Sequence, residues 1–333
     1  MPNKYIVTGG AGFIGSHLVD QLLREGHEVI IVDKMTYASS QWKMPHDPRL
    51  EIITCDISER AEVTESVREA LTNKNPKEFS MFHLAAESHV DRSISSADIF
   101  IKSNVLGTQI MLDICRDLGM RRFLHISTDE VYGSLAEGEA TEEFPLIPSS
   151  AYAASKASSD LVALAHHKTF GTDVVVTRCV NNFGPRQSLE KFIPRALSRL
   201  MNGREIPIYG NGLNFREWIY VSDHCKYLKF VMDRGKSGEI YNIGTRNRKS
   251  NLDIANDLAK HFSQDPNIVF IRDRLGHDLR YALDSTKLAK EGISIENLDF
   301  HAALFETINY YKEYATTKNY NDELRSVEEF YGN

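Results

Sequence analysis

The chain has 333 residues, of which 42% are hydrophobic and 26% are charged, and its formal net charge is −7. These values are typical of a globular protein with room for two domains, and the acidity argues against a nucleic-acid-binding surface. Four widely spaced cysteines form neither a CxxC motif nor a disulfide framework, and no apolar run approaches the roughly 18 residues of a membrane span. Residues 1–4 run directly into an apolar segment, so we expect no signal peptide and a cytoplasmic protein.

The first predicted elements form a βαβ unit around a glycine-rich turn. A strand at residues 5–8 precedes Gly9, Gly12 and Gly15, and a helix and a second strand ending at Asp33 follow. The glycines permit a tight turn and close approach of a pyrophosphate, which the free N–H groups of the helix would bind. Asp33 would accept hydrogen bonds from a ribose diol and repel a 2′-phosphate, which favours NAD over NADP. A glycine turn used only for packing is the alternative.

The next segments continue the alternation of strands and helices. Strands are predicted at residues 51–57 and 79–86, and Asp56, near the end of the first, could hydrogen-bond an adenine. A helical pattern covers about 98–118, and an apolar strand precedes Ser127. Such alternation predicts an α/β fold with a Rossmann-type, doubly wound parallel sheet.

Three polar side chains in a row, Thr128, Asp129 and Glu130, follow that last apolar strand. Ligands of open α/β sheets bind at this edge, where strands end. The two carboxyl groups could therefore reach neighbouring atoms of one substrate, one giving and one taking a proton. Taken alone, the pair is as well explained by an acidic turn.

Tyr152 and Lys156 stand four residues apart at the head of a helical pattern that runs to about Phe170. Side chains at this spacing share one helix face, and a nearby ammonium favours the phenolate form of tyrosine. After a dinucleotide-binding unit, the pair predicts a base that accompanies hydride transfer. An exposed Tyr/Lys pair is the alternative for this short motif.

The second half of the chain predicts a smaller α/β substrate-binding lobe. A polar segment begins after the strand at 173–178, whereas the strand at 216–221 and the helix that follows it suggest a return to the first domain, with an edge strand at 239–244. We therefore predict a Rossmann domain of residues 1–178 plus about 216–244. The second lobe would comprise about 179–215 plus 245–333.

These residues together resemble the extended short-chain dehydrogenase/reductase family over nearly the whole chain. The glycine turn and the Tyr152/Lys156 pair match the superfamily. Within it, the chain is most similar to the nucleotide-diphosphate-glucose (NDP-glucose) 4,6-dehydratases, above all those acting on dTDP-glucose, whose signature is the Thr-Asp-Glu triplet at 128–130. Further matching segments are 84–91, 181–185, 190–194 and 273–278.

The resemblance implies a role for each of five catalytic residues. Tyr152 would take the proton of the C4 hydroxyl, Lys156 would hold the nicotinamide ribose, and Thr128 would hydrogen-bond the C4 oxygen. Glu130 would remove the C5 proton, and Asp129 would protonate the departing C6 hydroxyl. NAD would accept the C4 hydride and return it to C6, so the lyase would keep its cofactor through turnover and release NDP-4-keto-6-deoxyglucose.

The resemblance also implies two sets of binding residues. The NAD-binding set lies mainly at the glycine turn and the strand ends: Gly9, Gly12, Phe13, Ile14, Gly15, Asp33, Lys34, Asp56, Ile57, Leu84, Ala85, Ala86, Ser103, Tyr152, Lys156 and Asn182. The substrate-binding set is Ser88, Thr128, Asn181, Lys191, Phe192, Pro207, Tyr209, Arg216, Asn251, Arg274 and His277. Arg216 and Arg274 suit a diphosphate because a guanidinium forks onto phosphate oxygens.

The remaining histidines are not expected to take part in catalysis. His83 and His89 are predicted to be structural, and His166-His167 is predicted to be a solvated helix face. We expect no metal site, no nucleic-acid or membrane partner, and a homodimer through a four-helix interface of the helices near 104–118 and 152–170.

Three other functions share this scaffold. A UDP-glucose 4,6-dehydratase would carry the same motifs, because thymine and uracil differ by a contact worth only about 1–3 kcal/mol. An epimerase or decarboxylase would need Tyr152 and Lys156 but not Asp129 beside Glu130. A non-catalytic NAD-binding regulator would be expected to lose some of these residues. Departures from the usual family residues at Ser103, Val180, Phe183 and Leu275 bear on the preference for the base more than on the reaction.

Overall fold

The computed structural model describes residues 3–36, 39, 42–293 and 299–331; Met1 and Pro2, at the start of the segment discussed above, lie outside them. The strands are β1 Lys4–Thr8, β2 Glu28–Asp33, β3 Leu50–Thr54, β4 Phe79–His83, β5 Arg122–Thr128, β6 Val174–Cys179, β7 Asn181–Phe183, β8 Ile206–Tyr209, β9 Phe215–Tyr220, β10 Ile240–Ile243, β11 Arg248–Ser250 and β12 Ile268–Ile271. The α-helices are α1 Phe13–Arg24, α2 Arg60–Ala70, α3 Val90–Ser95, α4 Ala97–Phe100, α5 Gly107–Asp117, α6 Ala151–Phe170, α7 Phe192–Met201, α8 Val221–Arg234, α9 Asn251–His261, α10 Thr286–Lys290, α11 Phe300–Tyr314 and α12 Lys318–Tyr331.

A seven-stranded sheet in the order β10-β6-β5-β4-β1-β2-β3 forms the centre of the molecule. Every neighbouring pair in it is parallel, which confirms the predicted doubly wound fold. Alternate residues such as Ile6 and Val7 point to opposite faces and belong to two separate hydrophobic cores. Since all seven strands run the same way, their carboxyl ends meet at one edge of the sheet.

Two strands end earlier than their apolar runs predict. β3 stops at Thr54, before Asp56, and β4 stops at His83, before Leu84. Cys55 and Leu84 each still donate one backbone hydrogen bond to the neighbouring strand, and the chain leaves the sheet beyond them.

The helix predicted at about 98–118 is interrupted by a π-helical segment. Ile101–Leu106 forms a π-helix between α4 and α5. At Gly107, where α5 begins, a Cβ atom would lie 2.6 Å from the Cδ1 atom of Ile57, so the glycine lets Ile57 pack closely against the start of α5. The short helix α3 before this segment was not predicted.

A smaller lobe carries its own core. Its sheets are β11-β9-β7 and β12-β8, and α7, α9, α11 and α12 enclose a third hydrophobic cluster around Phe183 and Trp218. The strand predicted at 216–221 corresponds to β9, which pairs with β7 and β11 and not with the large sheet. Helix α8 does pack against α1 and β6. The division of the chain into domains stays a prediction.

The solvated face predicted for His166-His167 is wrong for the first residue. His166 is only 3% exposed, and its Nε2 atom lies 3.5 Å from a carboxylate oxygen of Asp113. The sequence pattern of α6 does not reveal this burial, because the burial results from packing of α6 against both α5 and the π-helix. Across the described residues, no helix is both long and apolar enough to cross a membrane.

Candidate active site

A cavity of about 260 Å³ opens at the carboxyl edge of the large sheet. Its wall comprises the β1–α1 turn, the residues after β2, β3 and β4, the end of β5, and side chains of α6 and of the loop 187–191. All but one of the residues predicted to bind NAD line it; the exception is Asn182.

The glycine turn is shaped for close approach of a ligand. Gly9 has a φ of +66°, and a Cβ atom on Gly15 would lie 2.1 Å from the carbonyl oxygen of Gly9. Helix α1 begins at Phe13, and no side chain caps its first N–H groups. The turn therefore offers unpaired N–H donors and a positive helix end, which suit a pyrophosphate.

Asp33 is held rigidly beside this turn. One carboxylate oxygen accepts a hydrogen bond from the N–H of Ala11 (3.0 Å), and the other accepts one from Met35 (2.8 Å). Burial raises the pKa of Asp33, and these two amides oppose the shift. The fixed carboxylate suits a ribose diol and disfavours a 2′-phosphate.

An ion pair spans two segments of the cavity wall. The Nζ atom of Lys34 lies 2.7 Å from Glu87, which follows β4, and 3.9 Å from Asp56. Glu87 was not predicted as a site residue, because its role depends on the approach of two strand ends that are distant in sequence.

His83 has a structural role in the cavity floor. The amide of Ala85 donates to the Thr8 hydroxyl (3.1 Å), which lies 2.8 Å from Nδ1 of His83. The Thr108 hydroxyl donates to the carbonyl of Asn104, so it accepts from Nε2–H of His83 (2.9 Å). Burial lowers the pKa of His83 well below its usual value, and the ring is neutral.

The π-helix delivers two neighbouring side chains to the site. Ser103 lines the cavity, whereas Asn104 accepts from the N–H of Glu87 and donates to its carbonyl group. Asn104 also donates to the Ser155 hydroxyl at 2.9 Å. The π-helix therefore supplies the cavity residue Ser103, and through Asn104 it holds both the loop after β4 and helix α6 in place.

Tyr152 and Lys156 project from α6 toward the end of β5. The Lys156 ammonium donates a hydrogen bond to the carbonyl oxygen of Ile126 at 2.7 Å. Burial lowers the pKa of Lys156 to about 8, and the charge of Asp160 opposes that shift. Burial and the charge of Glu130 raise the pKa of Tyr152, and the Thr128 hydroxyl opposes them. Both groups line the cavity.

The Thr-Asp-Glu triplet spans the end of β5, where Thr128 is the last strand residue and Asp129 and Glu130 begin a helical turn. The Thr128 hydroxyl accepts from the N–H of Glu130 (3.3 Å) and donates to a carboxyl oxygen of Asp129 (3.2 Å). Gly133 closes the turn with a φ of +72°, where a Cβ atom would lie 2.1 Å from the carbonyl oxygen of Ile147.

The two carboxyl groups differ in their environments. Asp129 is 2% exposed and its Oδ2 atom has no hydrogen-bond partner; burial and then the charge of Glu130 raise its pKa well above the usual value. Burial also raises the pKa of Glu130, but Arg274, Arg216 and Lys191 oppose the shift. The proton of the pair therefore resides on Asp129, which can act as an acid beside a basic Glu130.

Of the predicted substrate residues, Arg274, Arg216 and Lys191 act electrostatically on Glu130, and only Ser88 and Lys191 line the cavity. Lys191 donates to the carbonyl oxygen of Ser88 (2.7 Å). Arg216 is buried, donates to the carbonyl of Asp278 (2.8 Å) and stacks over Tyr281. The remaining members lie on β5, β7, β8, the first turns of α7 and α9, and the loop before Asp278: Thr128, Asn181, Phe192, Pro207, Tyr209, Asn251, Arg274 and His277.

Asn182 is not placed at the cavity wall. Its side-chain amide donates to the carbonyl of Val180 (3.1 Å), and its oxygen lies 2.9 Å from Nδ1 of His224. The Asn182 side chain therefore points toward His224 on α8 and not into the cavity, and no local sequence pattern reveals this contact.

Other cavity residues were missed. Ser127 lines the cavity with a buried hydroxyl that has no partner, and its position at the end of β5 was a usable signal. Gln187 and Ser188 come from a loop of the second lobe, for which the sequence carries no comparable signal, whereas Glu190 begins the matching segment 190–194. Among the described residues, no group of three or more His, Cys, Asp or Glu side chains could hold a metal ion.

A family model and several named proteins match most of the chain. The model of the NAD dependent epimerase/dehydratase family matches residues 5–244. A dTDP-glucose 4,6-dehydratase of Actinoplanes sp. is 43% identical over 320 residues, which cover 93% of this chain and 98% of the relative. The low-salt glycan biosynthesis protein Agl12 of Haloferax volcanii is 42% identical over 311 residues, covering 92% and 97%.

Two solved structures are similar along most of the chain. The dTDP-glucose 4,6-dehydratase of Streptomyces venezuelae, with NAD and dTDP bound, has a TM-score of 0.86 at 43% identity and covers 93% of this chain and 97% of its own. The UDP-glucose 4-epimerase of Thermus thermophilus, in complex with NAD, has a TM-score of 0.84 at 26% identity, with 93% and 99% covered.

Proposed function

The chain belongs to the NAD-dependent epimerase/dehydratase family, and from that premise we propose that it dehydrates an NDP-glucose to the NDP-4-keto-6-deoxyglucose. The observation that carries the proposal is the buried Asp129 beside Glu130, at the strand end next to Tyr152 and Lys156. An enzyme that only oxidises and reduces a sugar has no need of this acid–base pair.

NAD is the cofactor of this reaction, and the residues present fit it. The glycine turn suits its pyrophosphate, Asp33 suits the adenosine ribose, and Ser103, Tyr152 and Lys156 lie across the same cavity. When bound, NAD supplies a hydride acceptor for C4 and returns the hydride to C6.

Tyr152 is the proposed base for the C4 hydroxyl. Burial and the charge of Glu130 raise the pKa of Tyr152 and keep its proton on. The ammonium of Lys156, one helical turn along α6, is the group proposed to stabilise a phenolate. Thr128 is the proposed hydrogen-bond donor to the C4 oxygen. The Thr128 hydroxyl can break its hydrogen bond to Asp129 and donate to the C4 oxygen instead, because the bond to Asp129 is long, at 3.2 Å.

Glu130 and Asp129 are the proposed base and acid of the elimination. A C4 ketone acidifies the C5 proton, which Glu130 removes and later returns to C5 when C6 receives the hydride. Asp129 donates its proton to the C6 hydroxyl, so the C–O bond breaks and water leaves. The assignment follows from the environments, because Asp129 holds its proton more firmly than Glu130 does.

A sugar nucleotide with a diphosphate is the proposed substrate. Arg216, Arg274 and Lys191 each act electrostatically on Glu130, so three positive groups converge at the mouth of the proposed sugar site. dTDP-glucose is proposed over UDP-glucose because relatives of 43% and 44% identity carry that name.

A homodimer is proposed as the functional assembly. Helix α6 packs against α5 and the π-helix, and large apolar side chains on these elements are 44–58% exposed. They are Ile101, Leu106, Leu161 and Phe170. Exposed apolar side chains on neighbouring helices suit a two-fold interface. The four cysteines are free thiols, which supports the proposal of a reducing, cytoplasmic location.

The test is incubation of the protein with dTDP-glucose and, separately, with UDP-glucose. The product is scored by the alkali-induced absorbance of a 4-keto sugar and by the mass loss of one water. Preferential loss of water from dTDP-glucose is expected. Preference for UDP-glucose would overturn the choice of base, and C4 epimerisation without loss of water would overturn the dehydratase.

A further inference from the structure

The buried side chain of Arg178, on β6, joins the turn after β5 to helix α6. Its Nη1 atom donates a hydrogen bond to the Tyr132 hydroxyl (2.9 Å), and its Nε atom donates to Asp160 (2.8 Å). The guanidinium also lies 4.8 Å from the centroid of the Tyr132 ring. All three side chains are at most 2% exposed, so solvent does not weaken these contacts.

The Tyr132 hydroxyl has a second partner. Because it accepts from Arg178, it donates its own proton to Oδ1 of Asn242, on β10, at 2.8 Å. The side-chain amide of Asn242 is fixed in turn, since it donates to the carbonyl groups of Ala140 (2.9 Å) and Asp284 (3.2 Å). The phenol is therefore held between two constrained side chains, one on β6 and one on β10.

Tyr132 is the last residue of the helical turn that begins with Asp129 and Glu130. Among the described residues, the carboxyl group of Asp129 is hydrogen-bonded only by Thr128, at 3.2 Å, and its Oδ2 atom has no partner. The position of this acid therefore depends on the backbone of the turn. Tyr132 does not line the cavity, so its hydroxyl does not contact a ligand bound there.

Asp160 links this network to the helix of the proposed oxidation step. It lies on α6, one helical turn after Lys156, and accepts from Arg178. The guanidinium is therefore fixed to the helix that carries Tyr152 and Lys156. Through the phenol it is also fixed to the turn that carries the two carboxyl groups.

We propose that Tyr132 is a positioning residue for Asp129 and Glu130 and acts through Arg178. The inference rests on the proposed function, since that function assigns the elimination of water to these two carboxyl groups. A four-residue turn has few backbone hydrogen bonds of its own. An anchor at its last residue therefore sets the direction in which its first two side chains point.

Removal of the Tyr132 hydroxyl loosens the turn but not α6. Arg178 keeps its ion pair with α6, and its Nη1 atom can turn toward the carbonyl oxygen of Glu142, 3.5 Å away. Lys156 keeps its hydrogen bond to the carbonyl oxygen of Ile126. C4 oxidation is therefore spared, whereas the elimination loses the alignment of its acid and base.

The test compares Tyr132→Phe with the wild-type protein in single turnovers of dTDP-glucose. The rate of water loss is expected to fall by about 10- to 100-fold, as when reacting groups are misplaced by about 1 Å, while the rate of C4 oxidation stays within about twofold. Reduced nicotinamide should therefore accumulate, which is measured by its near-ultraviolet absorbance. KM for dTDP-glucose should stay within about twofold, because Tyr132 does not line the cavity.

A second measurement needs no turnover. Hydrogen exchange of the backbone amides of residues 129–133, followed by mass spectrometry without substrate, is expected to be about 2- to 10-fold faster in Tyr132→Phe, the factor that corresponds to one hydrogen bond. Exchange in α6 should not change. This result decides the inference even if the wild-type protein does not dehydrate a sugar nucleotide, so failure of the proposed function and failure of this inference are distinguishable.

Tyr241→Phe is the matched control. Tyr241 is also fully buried and precedes Asn242 on β10, but its hydroxyl accepts from the N–H of Lys236, before that strand. Both chemical steps and the exchange of residues 129–133 are expected to keep their wild-type rates in this variant. Equal slowing of oxidation and elimination in Tyr132→Phe, unchanged exchange of the turn, or the same effects in Tyr241→Phe would overturn the proposal.

Discussion

The ammonium group of Lys156 donates a hydrogen bond to the carbonyl oxygen of Ile126, 2.7 Å away. This bond ties the helix that carries Tyr152 to the strand that carries the Thr-Asp-Glu triplet. The proposed oxidation and the proposed elimination are therefore performed by groups held in one rigid unit, so variants should be able to separate the two steps without disturbing the site.

Asp129→Asn is expected to leave C4 oxidation intact and to slow the elimination by roughly 10²- to 10⁴-fold, the usual contribution of a positioned acid. The amide keeps the shape of the buried side chain but cannot give a proton to the C6 hydroxyl. Reduced nicotinamide should therefore accumulate in a single turnover, seen by its near-ultraviolet absorbance, while 4-keto product forms slowly. Dehydration at the normal rate would remove Asp129 from the mechanism.

The rate of C4 oxidation is expected to fall as the pH rises through about 8. Burial lowers the pKa of Lys156 to about 8, so the group is an ammonium below that pH and neutral above it. Loss of the positive charge removes the stabilisation of the Tyr152 phenolate. The measurement is the pH dependence of nicotinamide reduction in the Asp129→Asn variant, where elimination does not interfere.

Lys156→Met should oxidise the sugar more slowly and lose this pH dependence. Lys168→Met is the control, because Lys168 is exposed near the end of the same helix. If the rate of C4 oxidation still fell near pH 8 in Lys156→Met, the titrating group would be another residue.

Glu87→Gln is expected to accelerate release of NAD by about two- to fivefold. The ion pair with Lys34 joins two segments of the cavity wall, but both side chains are partly exposed, so the pair is worth only about 0.2–1 kcal/mol. The rate is measured by trapping released NAD with a dehydrogenase, and the difference should shrink in high salt. Glu51→Gln, which removes an exposed pair with Lys74 away from the cavity, should release NAD at the wild-type rate.

Arg178→Leu is expected to destabilise the fold by about 3–5 kcal/mol, the usual result of leaving one buried charge without its partner. Arg178 is 2% exposed, and its Nε atom donates to Asp160 at 2.8 Å. Burial alone would raise the pKa of Asp160, but His125 and Arg178 hold it below the usual value. Urea unfolding measures the change.

The double variant Arg178→Leu/Asp160→Leu should recover much of the lost stability, because neither charge of this ion pair is left without the other. Arg116→Leu removes an exposed pair and should cost less than about 1 kcal/mol. If Arg116→Leu and Arg178→Leu lowered the free energy of unfolding by similar amounts, burial of the Arg178–Asp160 ion pair would not explain the effect.

The parts of the site that could be predicted from the sequence have local causes. Gly9, Gly15 and Asp33 lie within one βαβ unit, and the spacing of Tyr152 and Lys156 places them on one helix face. The parallel sheet then brings these groups to one edge, so a prediction of topology is enough to assemble the cavity. The roles of the individual residues stay predictions until the variants are measured.

The remaining features depend on contacts between distant segments. Asn182 turns toward His224, Glu87 meets Lys34, and Asp91 meets Tyr331 across 240 residues. No periodicity or motif encodes such pairs, because each depends on how separate elements pack. The burial of His166 was missed for the same reason.

The π-helix at Ile101–Leu106 makes the length of this segment as important as its composition. Successive residues of an α-helix turn by about 100°, and the wider π-turn accommodates one more residue before α5 resumes. A single-residue deletion there would favour a continuous α-helix and rotate Ser103 away from the cavity or Asn104 away from Ser155. Insertions and deletions should consequently be far less tolerated between Ala97 and Asp117 than point substitutions on the exposed side of the same segment.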